Sequence, residues 1–470
     1  MIDILIDKIA ALVGTEHVLH APEAMAPFLA ERRDLFHGTP LAVVRPGKTA
    51  EVAAVVRLAA SEGLTIVPQG GNTGLVGGAV PDSSGRQILL SLQRLDAIRE
   101  VDADGSTITV EAGATLAKVR AAAKTADRLF PLSLASEKSA TIGGNLASNA
   151  GGLAVLAYGN MRDLVLGLEV VLADGRVWNG LRKLRKDNSA YDLRDLFVGS
   201  EGTLGIITAA VLKLVPRPKC VETAFCGVDS LPAALALFRR AQSSAHGTLT
   251  SAELLPRIGL EFVLAHAPGA HDPLPIPCPW YVLLEVSSPA PESAILTDML
   301  CDAEETGEIR AAVIAQSSEE RAALWMLRER MSDVQREEGG SIKHDVSVGV
   351  SDIPAFIEQA SAAARRIVPD CRPVPFGHIG DGNIHFNISQ PVGADKQAFL
   401  DRWGEMNAAV HEIVAGFGGS IAAEHGVGRL KNNLLPSFKG EVEIDLMRRL
   451  KNAFDPNNTL NPGVLLPNQR

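Results

Sequence analysis

Three stretches of glycine and other small residues, each bordering a segment that reads as a β-strand, constrain this chain more than any other feature. The first, Pro68-Gln69-Gly70-Gly71-Asn72-Thr73-Gly74-Leu75-Val76-Gly77-Gly78, follows the apolar run from Leu64 to Val67. The second runs Ile142-Gly143-Gly144-Asn145-Leu146-Ala147-Ser148-Asn149-Ala150-Gly151-Gly152, and the third Gly199-Ser200-Glu201-Gly202-Thr203-Leu204-Gly205-Ile206-Ile207-Thr208. A glycine loop leaving a strand exposes consecutive backbone N–H groups under little steric cover and can form a concave nest for a pyrophosphate. The first loop is not the dinucleotide fingerprint with glycine at positions 1, 3 and 6. Nor is it a P-loop, since no Gly-Lys-Ser/Thr follows. The second suits close approach of backbone to a flat ligand. One such loop is equally well explained as a turn; three beside strands are not.

The surrounding pattern is α/β. Residues 41–45 read as a strand, followed by a helix with Thr49 as N-cap, Glu51 in its first turn and Gly63 as its stop. Residues 88–92 and 107–112 read as strands and 116–126 as a helix. The apolar stretch 164–173 ends in Asp174-Gly175, the signature of a buried strand entering a hairpin. Prolines cluster at Pro216-Arg217-Pro218 and mark a boundary. Beyond it come a helix (232–245), a Pro-rich loop (268–279), a strand (280–287) and helices near 291–306 and 318–338. At 470 residues the chain is too long for one core, and about two or three domains are expected.

A formal net charge of −10 argues against nucleic acid as a partner and means that an anionic substrate must be drawn in by local positive charge. Five cysteines, Cys220, Cys226, Cys278, Cys301 and Cys371, form no Cys-x-x-Cys pair, so buried free thiols in a reducing compartment are expected. No run approaches the about 18 apolar residues of a membrane span, and the start lacks a basic-then-apolar signal pattern. The expectation is a cytoplasmic protein not integral to a membrane.

A second constellation lies in Pro375-Phe376-Gly377-His378-Ile379-Gly380-Asp381-Gly382-Asn383-Ile384-His385-Phe386-Asn387. Histidines seven apart face opposite sides of a straight strand, but the Gly380-Asp381-Gly382 turn permits a bend that points both at one place. His385 and Asn387 then share a strand face. Ala423-Glu424-His425-Gly426-Val427-Gly428 follows some forty residues on. Two imidazoles and a carboxylate leave positions open on a metal, as in catalytic rather than structural zinc sites. A third constellation joins Arg328 and Ser332, four apart on one helix face, to the alternating run Ser341–Val348. In that run Ile342, Val346 and Val348 face one side, and Lys343, Asp345 and Ser347 the other.

The three glycine loops, in order and spacing over about residues 40–218, resemble the FAD-binding domain of the vanillyl-alcohol-oxidase/p-cresol-methylhydroxylase flavoproteins. The resemblance implies that Pro68 and Gln69 to Gly74 (Gly70, Gly71, Asn72, Thr73) hold the pyrophosphate. It also implies that Gly143, Gly144, Asn145, Ser148, Asn149, Gly151 and Gly152, with Glu201, Gly202, Gly205, Ile206 and Ile207, line the ribityl and isoalloxazine regions. Some members attach flavin covalently through a histidine in the first loop; here Asn72 stands there and no histidine does, so non-covalent FAD is expected. Nearly the whole chain is similar to the D-2-hydroxyglutarate dehydrogenase family, in the branch that also holds D-lactate dehydrogenases and glycolate oxidase subunits.

That similarity implies metal ligands at His378, His385 and Glu424, substrate contacts at Asn387 and His425, and a carboxylate grip at Arg328, Ser332 and Lys343. Position 332 is often threonine in this family; serine keeps the hydroxyl and loses a methyl. The similarity also implies that Asn461, in Asn461-Pro462-Gly463, returns to the flavin. The implied fold is α+β: a two-subdomain FAD-binding domain (1–217), a substrate domain on an antiparallel sheet (218–410) and a C-terminal helical segment (411–470). The implied reaction is oxidation of a D-2-hydroxy diacid, D-2-hydroxyglutarate to 2-oxoglutarate first and D-malate second. The resemblance implies His425 as the general base and a divalent metal, zinc foremost, as a requirement. The implied electron acceptor is an electron-transferring flavoprotein or a quinone-linked carrier. A homodimer is entertained. The alternatives are a D-lactate dehydrogenase or glycolate oxidase subunit of the same branch, a non-redox flavin transferase of the superfamily, and a binding protein without turnover.

Overall fold

A computed structural model describes residues 2–290 and 293–467, and the chain divides in it into two compact units. The first comprises residues 1–152, 159–217 and 424–470; the second comprises 153–158 and 218–423. Residue 411, the expected start of the C-terminal segment, lies inside the helix Trp403–Gly416 of the second unit. The start of the helix expected near 291 falls outside the described residues, and its described part is Ile295–Glu305.

The first unit contains two principal sheets. In one, Ala42–Val44, Gln87–Ser91 and Thr65–Gln69 run parallel in that spatial order, with the short Val18–Leu19 antiparallel at one edge. The helix Thr49–Ser61 buries Val52, Val55, Val56 and Ala59 against this sheet. Thr49, the expected cap, is instead its first residue, and Lys48 stands at the cap position. The Thr49 hydroxyl donates to Glu169 Oε1 at 2.7 Å, and the helix start is tied instead by Gly47 N–H to Glu51 Oε2 at 2.7 Å. The other sheet is five-stranded and antiparallel, with Ile206–Lys213 between Thr107–Glu111 and Val165–Val171. Its edge strand Ile98–Asp102 was not anticipated, because Arg99, Glu100 and exposed Val101 carry no apolar alternation. The hairpin expected at Asp174-Gly175 forms between Val165–Val171 and Val177–Gly180. Residues 459–461 return to the first sheet: Ile66 N–H donates to Thr459 O, and Asn461 N–H to Ile66 O, both at 2.8 Å.

The second unit is built on a seven-stranded antiparallel sheet. Its spatial order is Ala311–Ile314, Cys220–Val228, Trp280–Ser288, Leu249–Pro256, Arg372–His378, Asn383–Ser389 and Ser341–Ser347. One face packs Leu255, Leu283, Val374 and Phe376 under Leu324, Trp325 and Met331 from the helices Ser318–Glu329 and Met331–Val334. The expected single helix over 318–338 is thus interrupted at Arg330, where Met331 turns in to lie against Gly259. All five cysteines are unbridged; Cys226, Cys278 and Cys371 are buried, whereas Cys301 is exposed on the helix Ile295–Glu305 and Cys220 partly so. Among the described residues no helix is long and apolar enough to cross a membrane.

Candidate functional site

Within the first unit the glycine loops converge on one cleft with about 1000 Å³ of empty space. It is lined by Pro68 to Gly74, by Gly143, Gly144, Asn145 and Ser148, and by Glu201, Gly202, Gly205, Ile206 and Ile207. Close approach of backbone explains the glycines. A Cβ on Gly71 would lie 1.8 Å from Ser139 O, and one on Gly70 2.2 Å from Thr141 Oγ1, whereas one on Gly74 would meet nothing within 4 Å. Asn72, Asn149, Glu201 and Asn461 all adopt positive φ, a conformation asparagine tolerates better than most residues. Asn149 caps Arg162 N–H at 2.9 Å. Asn461 donates to Gly78 O and Glu201 O at 2.9 and 2.8 Å. These two, with Gly151 and Gly152, are not among the residues that line the cleft.

Glu201 has a role of its own. Its carboxylate accepts Val427 N–H at 2.8 Å and Gly428 N–H at 2.9 Å, gripping the loop that carries Glu424 and His425. Burial pushes its carboxyl up to about 7, against those two bonds and the attraction of Lys431. His425 itself lines the cleft, beside residues recognised from sequence only as cofactor contacts.

Within the second unit the polar groups lie on one sheet face. His378 ends the strand Arg372–His378, and the turn through Gly382 (φ +85°, with Val348 O only 2.0 Å from where a Cβ would sit) reverses the chain into Asn383–Ser389. His378 and His385 thereby face each other with ring centroids 6.1 Å apart, as the glycine turn suggested. His385 pairs across the sheet with Phe376 on one side and Asp345 on the other, and Asn387 with Val374 and Lys343. Antiparallel partners point to the same face, so Asp345, Lys343, His385 and Asn387 form one patch. Lys343 Nζ donates to Ser332 O at 2.8 Å and Oγ at 3.1 Å; Asn387 Nδ2 donates to Gln335 Oε1 at 3.0 Å. Arg328 and Ser332 lie in two successive helical segments, Ser318–Glu329 and Met331–Val334, joined at Arg330. Arg328 lies buried over the Phe376 ring, 4.8 Å from its centroid.

Behind these groups is a residue that sequence reasoning missed. Glu253, fully buried on Leu249–Pro256, accepts from Arg328 Nε and from His378 Nδ1, each at 2.5 Å. Burial alone pushes its carboxyl up, but attraction to Arg328 and His378 outweighs that and holds it at about 2.

Residues 40–180 match the model of an FAD binding domain, and residues 217–465 that of the C-terminal domain of FAD-linked oxidases. The chain is 38% identical over 428 residues to a D-2-hydroxyglutarate dehydrogenase of Xanthomonas citri pv. viticola, covering 91% of this chain and 89% of that protein. It is 35% identical to the mitochondrial D-2-hydroxyglutarate dehydrogenase of Bos taurus, over 98% and 84% of the two chains. The chain belongs to the D-2-hydroxyglutarate dehydrogenase family of FAD-linked oxidases.

As a member of the D-2-hydroxyglutarate dehydrogenase family it is an FAD-dependent dehydrogenase. Its fold is shared with p-cresol methylhydroxylase, whose substrate-bound crystal structure superposes with a TM-score of 0.76 at 16% identity, covering 99% of this chain and 97% of the other. The cleft fits FAD chemically: beside its backbone-lined wall, buried Asn145 Nδ2 and Gln69 Oε1 have no hydrogen-bond partner among the described residues. A donor and an acceptor held in such positions are costly unless a ligand meets them. The histidine pair of this family member also fits a divalent metal, with Glu253 bonded to His378 and Asp345 Oδ1 3.9 Å from His385 Nδ1. Carboxylates behind metal-binding imidazoles are the usual orienting arrangement. Neither Glu253 nor Asp345 was singled out from sequence as a site residue. A lone glutamate in an apolar run, Ser251-Ala252-Glu253-Leu254-Leu255, carries no local signal of its partners.

Proposed function

We propose that this dehydrogenase oxidises a D-2-hydroxy diacid, D-2-hydroxyglutarate to 2-oxoglutarate first and D-malate second. The observation that carries the reading is the sheet face on which Lys343 and Ser332 are joined beside Asn387 and the His378–His385 pair, with Arg328 held over Phe376. In a protein of net charge −10, such a concentration of donors calls for an anion. When bound, FAD supplies the hydride acceptor at N5, and a divalent metal, zinc foremost, supplies Lewis acidity toward the 2-hydroxyl.

His378 and His385 offer two imidazoles for that metal, and Glu424 is the carboxylate that the family pattern adds. His425 accepts the hydroxyl proton as general base. Asn387, its amide steadied by Gln335, orients the substrate beside the metal. Arg328, Lys343 and the Ser332 hydroxyl hold the far carboxylate by charge-assisted hydrogen bonds. These bonds separate a diacid from a monoacid such as D-lactate. FAD is held non-covalently, since Asn72 occupies the first loop; acid denaturation is expected to leave the yellow colour in the supernatant, not in the pellet. Electrons pass on to an electron-transferring flavoprotein or a quinone-linked carrier, the acceptors the family resemblance implies. We assign the cytoplasm as the compartment on five unbridged thiols.

The deciding experiment is anaerobic titration of the purified protein with D- and L-2-hydroxy acids while flavin absorbance is followed. Bleaching by D-2-hydroxyglutarate ahead of D-lactate and the L-isomers is expected; preferential bleaching by D-lactate would replace the diacid reading with that of a D-lactate dehydrogenase.

A further inference from the structure

We propose that Glu253 is a positioning residue with two separate tasks, one for each carboxylate oxygen: Oε1 orients the His378 imidazole toward a metal, and Oε2 orients Arg328 toward the far carboxylate of the substrate. The inference rests on the reading of His378 and Arg328 given above.

Glu253 and His378 are direct partners in the antiparallel ladder, so their side chains rise from the same spot on the same face. The 2.5 Å contact from His378 Nδ1 to Oε1 makes Nδ1 the donor and Nε2 the ligand atom, and it fixes the plane of the ring. Arg328 Nε donates to Oε2 while its guanidinium lies over Phe376. With Nε engaged and one face covered, the Nη groups are the edge left for a bidentate carboxylate.

Stability does not account for this carboxylate. A fully buried ion pair is often no better than apolar residues of the same size, and Glu253 is flanked by Leu254 and Leu255 and faces Leu283, all completely buried. The same helix, Ser318–Glu329, is already fastened to the sheet by a second glutamate. Glu285, on the neighbouring strand, accepts from Arg321 Nε and Nη2, from Trp325 Nε1 and from Thr223 Oγ1. Glu285 therefore anchors the helix without touching a histidine, and it serves as an internal control for Glu253.

The test compares Glu253→Gln, Glu285→Gln and His378→Ala as FAD-loaded proteins. The zinc dissociation constant is measured by competition with a chelator, the visible spectrum after cobalt substitution, and KM for D-2-hydroxyglutarate and D-lactate. A glutamine has one acceptor oxygen, so it cannot offer a separate acceptor atom to each partner. Glu253→Gln is expected to retain flavin, weaken zinc binding about 10- to 100-fold, shift the cobalt bands and raise KM for the diacid more than for D-lactate. Glu285→Gln should leave zinc affinity and the cobalt spectrum at wild-type values. Should Glu253→Gln not fold, the double variant Glu253→Gln/Arg328→Met removes the stranded cation, and weak zinc binding in it supports the assignment. Wild-type zinc affinity and diacid KM in Glu253→Gln, with zinc lost in His378→Ala, would overturn the role of Glu253 alone; equal weakening in Glu285→Gln would reduce it to a structural one. Zinc retained at wild-type affinity in His378→Ala would instead remove the metal reading on which the inference rests.

Discussion

At Gly71 and Gly143 in the first unit, the space a side chain would need is occupied by Ser139 and Ala112, and the ligand-facing wall is mostly backbone and small side chains. At Glu253 in the second unit, the side chains of His378 and Arg328 are held instead by charge, in the middle of a sheet whose neighbours are leucines. The first arrangement depends on what is absent from the side chain. The second depends on partners brought from distant parts of the chain. Where a Cβ would strike backbone, as at Gly71, the cleft has no room for a side chain, whereas a charged cluster fails one task at a time according to which bond is cut.

Four experiments break or sharpen that contrast. The largest effect is expected at Gly71→Ala. A Cβ 1.8 Å from Ser139 O cannot be accommodated without moving backbone, so the protein should lose FAD and unfold more readily by about 3 kcal/mol or more. Wild-type flavin content and melting temperature in this variant would show that the loop is not set by close approach. His378→Ala should keep FAD, lose its metal and lose turnover by about a thousandfold, the scale of a catalytic metal's charge stabilisation. Elemental analysis and kcat on the same preparation check this, and full turnover without metal would remove the metal from the chemistry.

The third experiment concerns Glu201, which belongs to the cleft yet works by charge. Its folded-state pKa of about 7 is raised above the usual 4.5, so the folded chain binds the proton more tightly between those values. Stability is then fully present below about pH 4.5 and falls as pH rises through 7, by roughly 3 kcal/mol in all. Urea unfolding of wild type and Glu201→Gln across pH 4.5 to 8 should show that slope in wild type alone; parallel curves would mean that Glu201 does not titrate there. The smallest effect is in specificity. Lys343→Ala or Arg328→Ala should erase most of a preference for diacid over D-lactate of about tenfold to several hundredfold, on the scale of charge-assisted bonds worth about 1.5–3 kcal/mol each. Flavin and metal should stay bound. Equal losses for both acids in the ratio of kcat to KM would show that these cations do not read the second carboxylate.

The loops were legible because their physics is local. Glycine where a Cβ would strike backbone, and asparagine at positive φ, announce themselves in consecutive residues, and the strands beside them carry their own apolar runs. The histidine pair was legible for a similar reason: Gly380-Asp381-Gly382 supplies the turn that joins the two strands. The interruption of the helix at Arg330 was not, since Met331 is drawn to Gly259, some seventy residues away. The Thr49 hydroxyl was claimed by Glu169, 120 residues distant, and so left its expected cap.

By itself, then, the sequence determined the nest-forming loops, the alternation of the strand Ser341–Ser347, the identity of the histidines and cations, and the excess of negative charge. Only the tertiary structure decided that Glu253 stands opposite His378 and beneath Arg328, that Glu201 grips the loop of Glu424 and His425, and that Lys343 meets Ser332. The loops and the strand are matters of steric or periodic constraint within a dozen residues, and the charge is a sum over the whole composition. Apart from Lys343 and Ser332, eleven residues apart, each of the second set joins residues 75 or more apart in sequence, where only the strand register and the packing of helix on sheet choose the partner.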